Sequence, residues 1–166
     1  LVKDHFIRGS CQNVDNIQTI GSEFGLGYFS NAQDVLGFSK GIIISTGSIE
    51  DAVGPNDDIE TTTSFNNVVG DVDLDIFSTS VVLDATGIEF DFIPFSNQVT
   101  FKYAFASEEY CEFVGSIFND NFGFFVSGPG INGDFFNNAI NVATLPNSGD
   151  YVSINSVNHI TNTSFY

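Results

Sequence analysis

Apolar side chains recur at every second position along residues 88–92 and 99–105, and that period commits the chain to β structure. Ile88, Phe90 and Phe92 share one parity, and Glu89 and Asp91 the other; Val99, Phe101, Tyr103 and Phe105 oppose Thr100 and Lys102. A strand sends successive side chains to opposite faces, so this pattern buries one face and wets the other. The alternation returns at Phe122, Phe124 and Val126, and again at Val152 and Ile154. The β-branched run GIIISTG (41–47) sits between glycines and suits a strand buried on both faces. Turn-forming clusters separate the runs: Gly54-Pro55-Asn56-Asp57, Pro94 to Asn97, Gly128-Pro129-Gly130, and Pro146-Asn147-Ser148-Gly149. Helix signals are confined to 30–36, one turn capped by Ser30 or Asn31, and to 72–80, a short helix or irregular loop. The expected fold is all-β: a two-sheet β-sandwich, jelly-roll-like, with long loops and little helix, in a single domain over 1–166. The chain stops at HITNTSFY just after a strand-like segment, and a sandwich edge needs cover. The expectation is therefore that the domain continues beyond Tyr166.

Charge narrows the partners. The chain of 166 residues has 21 acidic side chains against 4 basic ones, a formal net charge of -17, and past Lys40 its one basic side chain is Lys102. Such a surface repels nucleic acid and anionic membranes and attracts cations. No apolar run approaches the roughly 20 residues that span a bilayer, so direct membrane insertion is not expected. The opening LVKDHFIRGS has neither the apolar core nor the cleavage site of a secretory leader. Two cysteines, Cys11 and Cys111, with no CxxC spacing and two histidines, speak against zinc. They either form a disulfide, which an extracellular location would permit, or stand unpaired.

Oxygen-rich knots interrupt the apolar runs. Asp71, Asp73 and Asp75 alternate, which on an extended segment sets three carboxylates on one side. Without the glycine and closing glutamate of an EF-hand, they leave a non-EF calcium site or a solvated acidic loop as the readings. Glu108 and Glu109 precede Asn119-Asp120-Asn121 across a loop between two strand-like runs. Calcium takes six to eight oxygens from carboxylates, amides and carbonyls, and a hairpin joining 108 to 120 would supply most of that shell. Glu108 and Asp120 are the first choices as ligands, with Asn119 and Glu109 next and Asp71, Asp73 and Asp75 contributing from a neighbouring loop. The turn Gly54-Pro55-Asn56-Asp57-Asp58 reads as an ordinary Asx-type turn. Nucleophilic catalysis lacks a base, because His5 and His159 lie near the two ends and no GxSxG, HExxH or phosphate-binding loop is present. A hydrolase using Glu108 or Glu109 is the least favoured reading.

The order GIIISTG, GPN, DVDLD, then IEFDFIPFSNQVTFKYAFASEEYCEFVGSIFNDNFGFFVSGPG, and last a Pro-containing turn and VSINSVN, resembles the choice-of-anchor L domain from about Cys11 to Asn158. FASEEY followed by FNDNFGFFVSGPG carries most of the likeness. The resemblance implies a non-catalytic module of a secreted, cell-surface protein of Bacteroidetes-type bacteria, upstream of a C-terminal anchor such as a type IX secretion sorting domain. Some parents are gliding-associated adhesins. It implies partners among polysaccharides, surface proteins and neighbouring domains of the same parent chain, and further strands beyond the VSINSVN segment. Cys111 departs from the pattern, standing where a proline is common. A carbohydrate-binding module of a secreted enzyme is the alternative. Five tyrosines (Tyr28, Tyr103, Tyr110, Tyr151 and Tyr166) and the lack of tryptophan give it little stacking surface.

Overall fold

A computed structural model describes residues 1–7, 13–55, 57–58, 63–65 and 70–166. Cys11, and Asn56 of the 54–58 turn, lie outside the described residues. In chain order the described elements are β1 (Val14–Ile20), β2 (Leu26–Ser30), α1 (Gln33–Leu36), β3 (Lys40–Ile44), α2 (Val72–Asp75), β4 (Gly87–Phe92), β5 (Asn121–Phe122), β6 (Phe125–Val126), β7 (Ile140–Asn141) and β8 (Val152–Ser153). The chain is all-β, and every named ladder is antiparallel: β1 with β4, β2 with β3, β5 with β8, and β6 with β7. Each ladder is two strands wide, so the layering of a sandwich is not drawn by them. The chain gathers into two compact units. One is Leu1–Asp57, Thr61–Val69 and Asp84–Ala104; the other is Asp58–Glu60, Gly70–Leu83 and Phe105–Tyr166.

In the first unit, β4 shows the alternation its sequence requires: Ile88, Phe90 and Phe92 are half-buried while Glu89 and Asp91 are exposed. Its partner β1 pairs Val14 with Phe92 and Ile20 with Gly87, with a slip between Asp15 and Gln18. Asn16 sits at that slip with a left-handed φ of 50°, the backbone of a β-bulge. The β2–β3 hairpin runs from Leu26 opposite Ile44 to Ser30 opposite Lys40. Its connection holds α1, which Gly37 ends at φ 73°, a conformation that costs a side-chain-bearing residue about 1 kcal/mol. Two expectations change here. The cap of α1 is Ala32, without a side-chain bond, in place of Ser30 or Asn31. The strand at 41–47 is not buried on both faces, since Ile42 and Ile43 are half-buried and Ile44 is 41% exposed.

The expected strand over 99–106 forms no ladder among the described residues. Val99 and Tyr103 are exposed, while Phe101 and Phe105 are half-buried.

The second unit is built around Leu145, Val152 and Val157, with Phe105 and Phe122 packed against them. Ile154 and Asn158 are fully buried. A second group of rings, Phe77, Phe125, Phe135 and Tyr151, meets at centroid distances of 4.5 to 6.5 Å. Of the two readings of 72–80, the short helix forms at Val72–Asp75, so Asp71, Asp73 and Asp75 do not lie along an extended segment. Asp71 takes the N-cap position and its Oδ1 accepts from the Asp73 and Leu74 amides at 2.9 and 3.1 Å. Satisfying two amides that a helix start leaves open outweighs the alternation of aspartates.

Candidate functional site

Residues 107–118 leave the apolar run at Phe105 and curl through successive turns before rejoining β5. Phe113 N–H donates to the Glu109 carbonyl at 3.0 Å and Ser116 N–H to the Phe113 carbonyl at 2.9 Å. Gly115, at φ 81°, supplies a left-handed step in this curl. Ser107 starts it: its hydroxyl accepts from Glu109 N–H at 3.1 Å and donates to Asp120 Oδ2 at 3.2 Å. The two knots of the sequence, 107–109 and 119–121, are thereby brought together.

The carboxylates here repel one another. Burial holds the Glu109 carboxyl above its ordinary pKa, and the nearby charges of Asp120 and Glu112 push it further. Burial likewise raises Asp120, and the bond from Ser107 partly offsets it. The Tyr110 hydroxyl is pushed up to about 12, by burial first and then by Tyr166, Asp120 and Cys111. No lysine or arginine follows Lys102 in the chain.

The polar groups of the loop are satisfied chiefly by residues 153–158. Ile154 N–H donates to the Asp120 carbonyl at 3.1 Å, Asn155 N–H to Asn119 Oδ1 at 2.9 Å, and β5 pairs Asn121 with Ser153. The Asn155 carboxamide works in both directions, accepting from Gly115 N–H at 2.6 Å and donating to the Ser116 carbonyl at 3.1 Å. The Tyr110 hydroxyl donates to the Val157 carbonyl. Behind this seam, the buried Asn158 donates to the Ile154 carbonyl at 2.8 Å and accepts from the Ile160 and Thr161 amides at 2.9 and 2.7 Å. Buried polar groups require such partners, so this arrangement fixes the loop to the core.

The expected ligands are therefore placed as follows. The Asp120 charge adds to burial in raising Glu109, while Asp120 is raised by burial. Glu108 is half-buried in the same turn. Asn119 accepts from Asn155 N–H. Asp71, Asp73 and Asp75 each accept from a backbone amide: Asp71 as the cap of α2, Asp73 from Phe136 N–H at 2.7 Å, and Asp75 from Val82 N–H at 3.2 Å. Among the described residues no three Asp, Glu, His or Cys side chains group as a metal cluster. Glu108, Glu109, Asn119 and Asp120 offer oxygen, which suits calcium in kind, and carbonyl or water oxygens would have to complete a shell. Cys111 is exposed, with Sγ 3.5 Å from the Tyr166 hydroxyl, and the pairing considered with Cys11 falls on a residue outside the described ones. Asn155 and Asn158 do not stand out in the sequence, and Tyr110 does so there only as a ring that could stack on a saccharide. The signal for the asparagines is their place within the apolar run of Val152, Ile154 and Val157, where an amide must find partners.

No described helix is long and apolar enough to cross a membrane. No curated protein and no solved structure matches the chain. The family described as the Choice-of-anchor L domain matches residues 1–165, essentially the whole length. The chain therefore belongs to the choice-of-anchor L domain family, cell-surface-associated modules not known for catalysis.

Proposed function

We propose that this chain is a non-catalytic adhesion module of a secreted cell-surface protein, with the loop 107–121 stabilised by calcium. The observation that carries the calcium reading is the convergence of Glu109 and Asp120, both with raised pKa, in a unit whose sequence holds no lysine or arginine. Carboxylates drawn partly out of water destabilise the folded state when ionised, and a cation held beside them would relieve this. Asp120 and Glu109 would hold the ion, with Glu108 and Asn119 beside them. A bound cation would supply charge neutralisation and tie the start of the loop to its end. The parent we place the module in is a large gliding-associated adhesin exported by type IX secretion, the kind the family resemblance implies. The strongly acidic surface favours neutral or cationic partners over anionic ones.

Thermal unfolding in EDTA, then in calcium, with magnesium as control, tests the metal. The expected outcome is a calcium-specific rise in melting temperature that Asp120→Asn abolishes; binding to the folded state alone raises stability by mass action. Equal melting temperatures in the three solutions would refute it. Adhesion is read separately, by the retention of chain-coated beads under flow on surfaces coated with polysaccharide or protein. Beads that detach as readily as albumin-coated ones would count against it.

A further inference from the structure

The second unit uses its asparagines in two ways. Asn119, Asn121, Asn141, Asn155, Asn158 and Asn162 each make a side-chain hydrogen bond within the protein. Asn132, Asn137, Asn138 and Asn147 make none among the described residues; all four are exposed, and the first three share one loop, 131–139. The same loop carries Phe136, which is 66% exposed beside the buried Phe135.

This tip is held in place. Gly133 N–H donates to the Asn138 carbonyl at 2.9 Å, Phe135 N–H to the Ala139 carbonyl at 3.2 Å, and Ala139 N–H to the Phe136 carbonyl at 3.1 Å. Asp73 Oδ1 takes the Phe136 amide at 2.7 Å, and the Phe135 ring is anchored 4.9 Å from that of Phe125. Asn137 and Asn138 both adopt left-handed backbone, φ 55° and 57°. Asparagine takes this backbone readily, as at Asn31 and Asn147, so the pair turns the chain while both residues stay exposed.

We propose that the loop 131–139 binds a neutral saccharide, with the Phe136 ring against the C–H face of a pyranose and the carboxamides of Asn132, Asn137 and Asn138 bonding its hydroxyls. This rests on the adhesion reading above and names its ligand class. A pyranose pairs an apolar face with a rim of hydroxyls, and each carboxamide offers both donors and an acceptor to that rim. A pinned loop loses little entropy on binding. An anionic saccharide is disfavoured, because Asp134 is exposed on the same loop and no lysine or arginine follows Lys102. A protein partner would call for about 1,000 Å² of complementary surface, more than one exposed ring provides.

The test is affinity electrophoresis of the whole chain in native gels containing mannan, xylan, dextran or galactan, with alginate as the anionic control. The expected result is retardation by at least one neutral polymer and none by alginate. Phe136→Ala should weaken retardation about tenfold. Asn137→Gly and Asn138→Gly keep the left-handed backbone and delete the carboxamides, so they should weaken retardation with an unchanged melting temperature. Absence of retardation in every neutral gel, or full retardation of Phe136→Ala, overturns the proposal. If the coated beads still adhere while the gels show nothing, the saccharide is wrong and adhesion stands; if neither responds, both are wrong.

Discussion

Asn158 shows how much one polar side chain contributes to this molecule. It is fully buried, yet its carboxamide meets one carbonyl and two amides, all at 2.9 Å or less. Asn158→Ala removes the shared partner and leaves three backbone groups to find others. The expected loss is about 3 kcal/mol in urea unfolding, since each buried group left unpaired costs about 1–3 kcal/mol and relaxation recovers part of the sum. A loss within about 0.5 kcal/mol, the range of an ordinary surface change, would show that water replaces the carboxamide and that the seam does not depend on it. The contrast with the exposed Asn137 is instructive, because the two residues look alike in sequence. What separates them is the presence of partners, and those partners lie in backbone that composition does not reveal.

At the scale of elements, α2 has a role beyond its own turn. Asp71 caps it, and Asp73 reaches from it to the Phe136 amide of the loop 131–139. Asp73→Ala should speed hydrogen exchange at the Phe136 amide about tenfold, the lower end for a bond to a charged acceptor, because the contact is exposed. Unchanged exchange would mean that the loop is held by its own backbone bonds alone. The sequence made some elements plain and hid others for reasons that can be named. In β4 the one-face pattern was unbroken, so both its existence and its buried face could be read directly. In β1 the apolar residues Val14, Ile17 and Ile20 recur every third position. The bulge at Asn16 shifts the register there, and a parity search passes over such a strand. The aspartates at 71, 73 and 75 alternate as well, but over five residues alternation and a capped helical turn are indistinguishable until the amides are counted. Residues 99–106 alternate without a ladder partner among the described residues, because a pattern specifies a face and not a neighbour. The candidate site was legible as two polar knots between apolar runs. Its closure by Asn155 and Tyr110 was not, since those bonds join residues separated by 36 to 47 positions.

For the whole molecule, the charge of -17 and the raised carboxylates of the second unit set how stability follows pH. Glu109 and Asp120 have folded-state pKa values above those of the unfolded chain, so the folded state holds more protons over the window between the two. Their contribution is fully present below the ordinary carboxylate range, near pH 4, and is lost as pH rises through the raised values. In EDTA the urea midpoint should therefore fall on going from about pH 4 toward neutrality. General repulsion among 21 acidic residues acts in the same direction, but it is long-ranged and about 1 M salt screens it. The half-buried pair is screened much less, so a residual slope in high salt belongs to it. Asp120→Asn removes one member at nearly constant shape; it should flatten that residual slope and stabilise the chain at neutral pH in EDTA. Calcium inverts the expectation for the parent chain, because a metal favours the ionised carboxylates and competes with protons, so the midpoint should rise with pH when calcium saturates. A midpoint that rises with pH in EDTA and high salt would contradict the raised carboxyls of Glu109 and Asp120. A midpoint that falls with pH whether or not calcium is present would leave the burial of these carboxyls standing and rule out the ion as what relieves it.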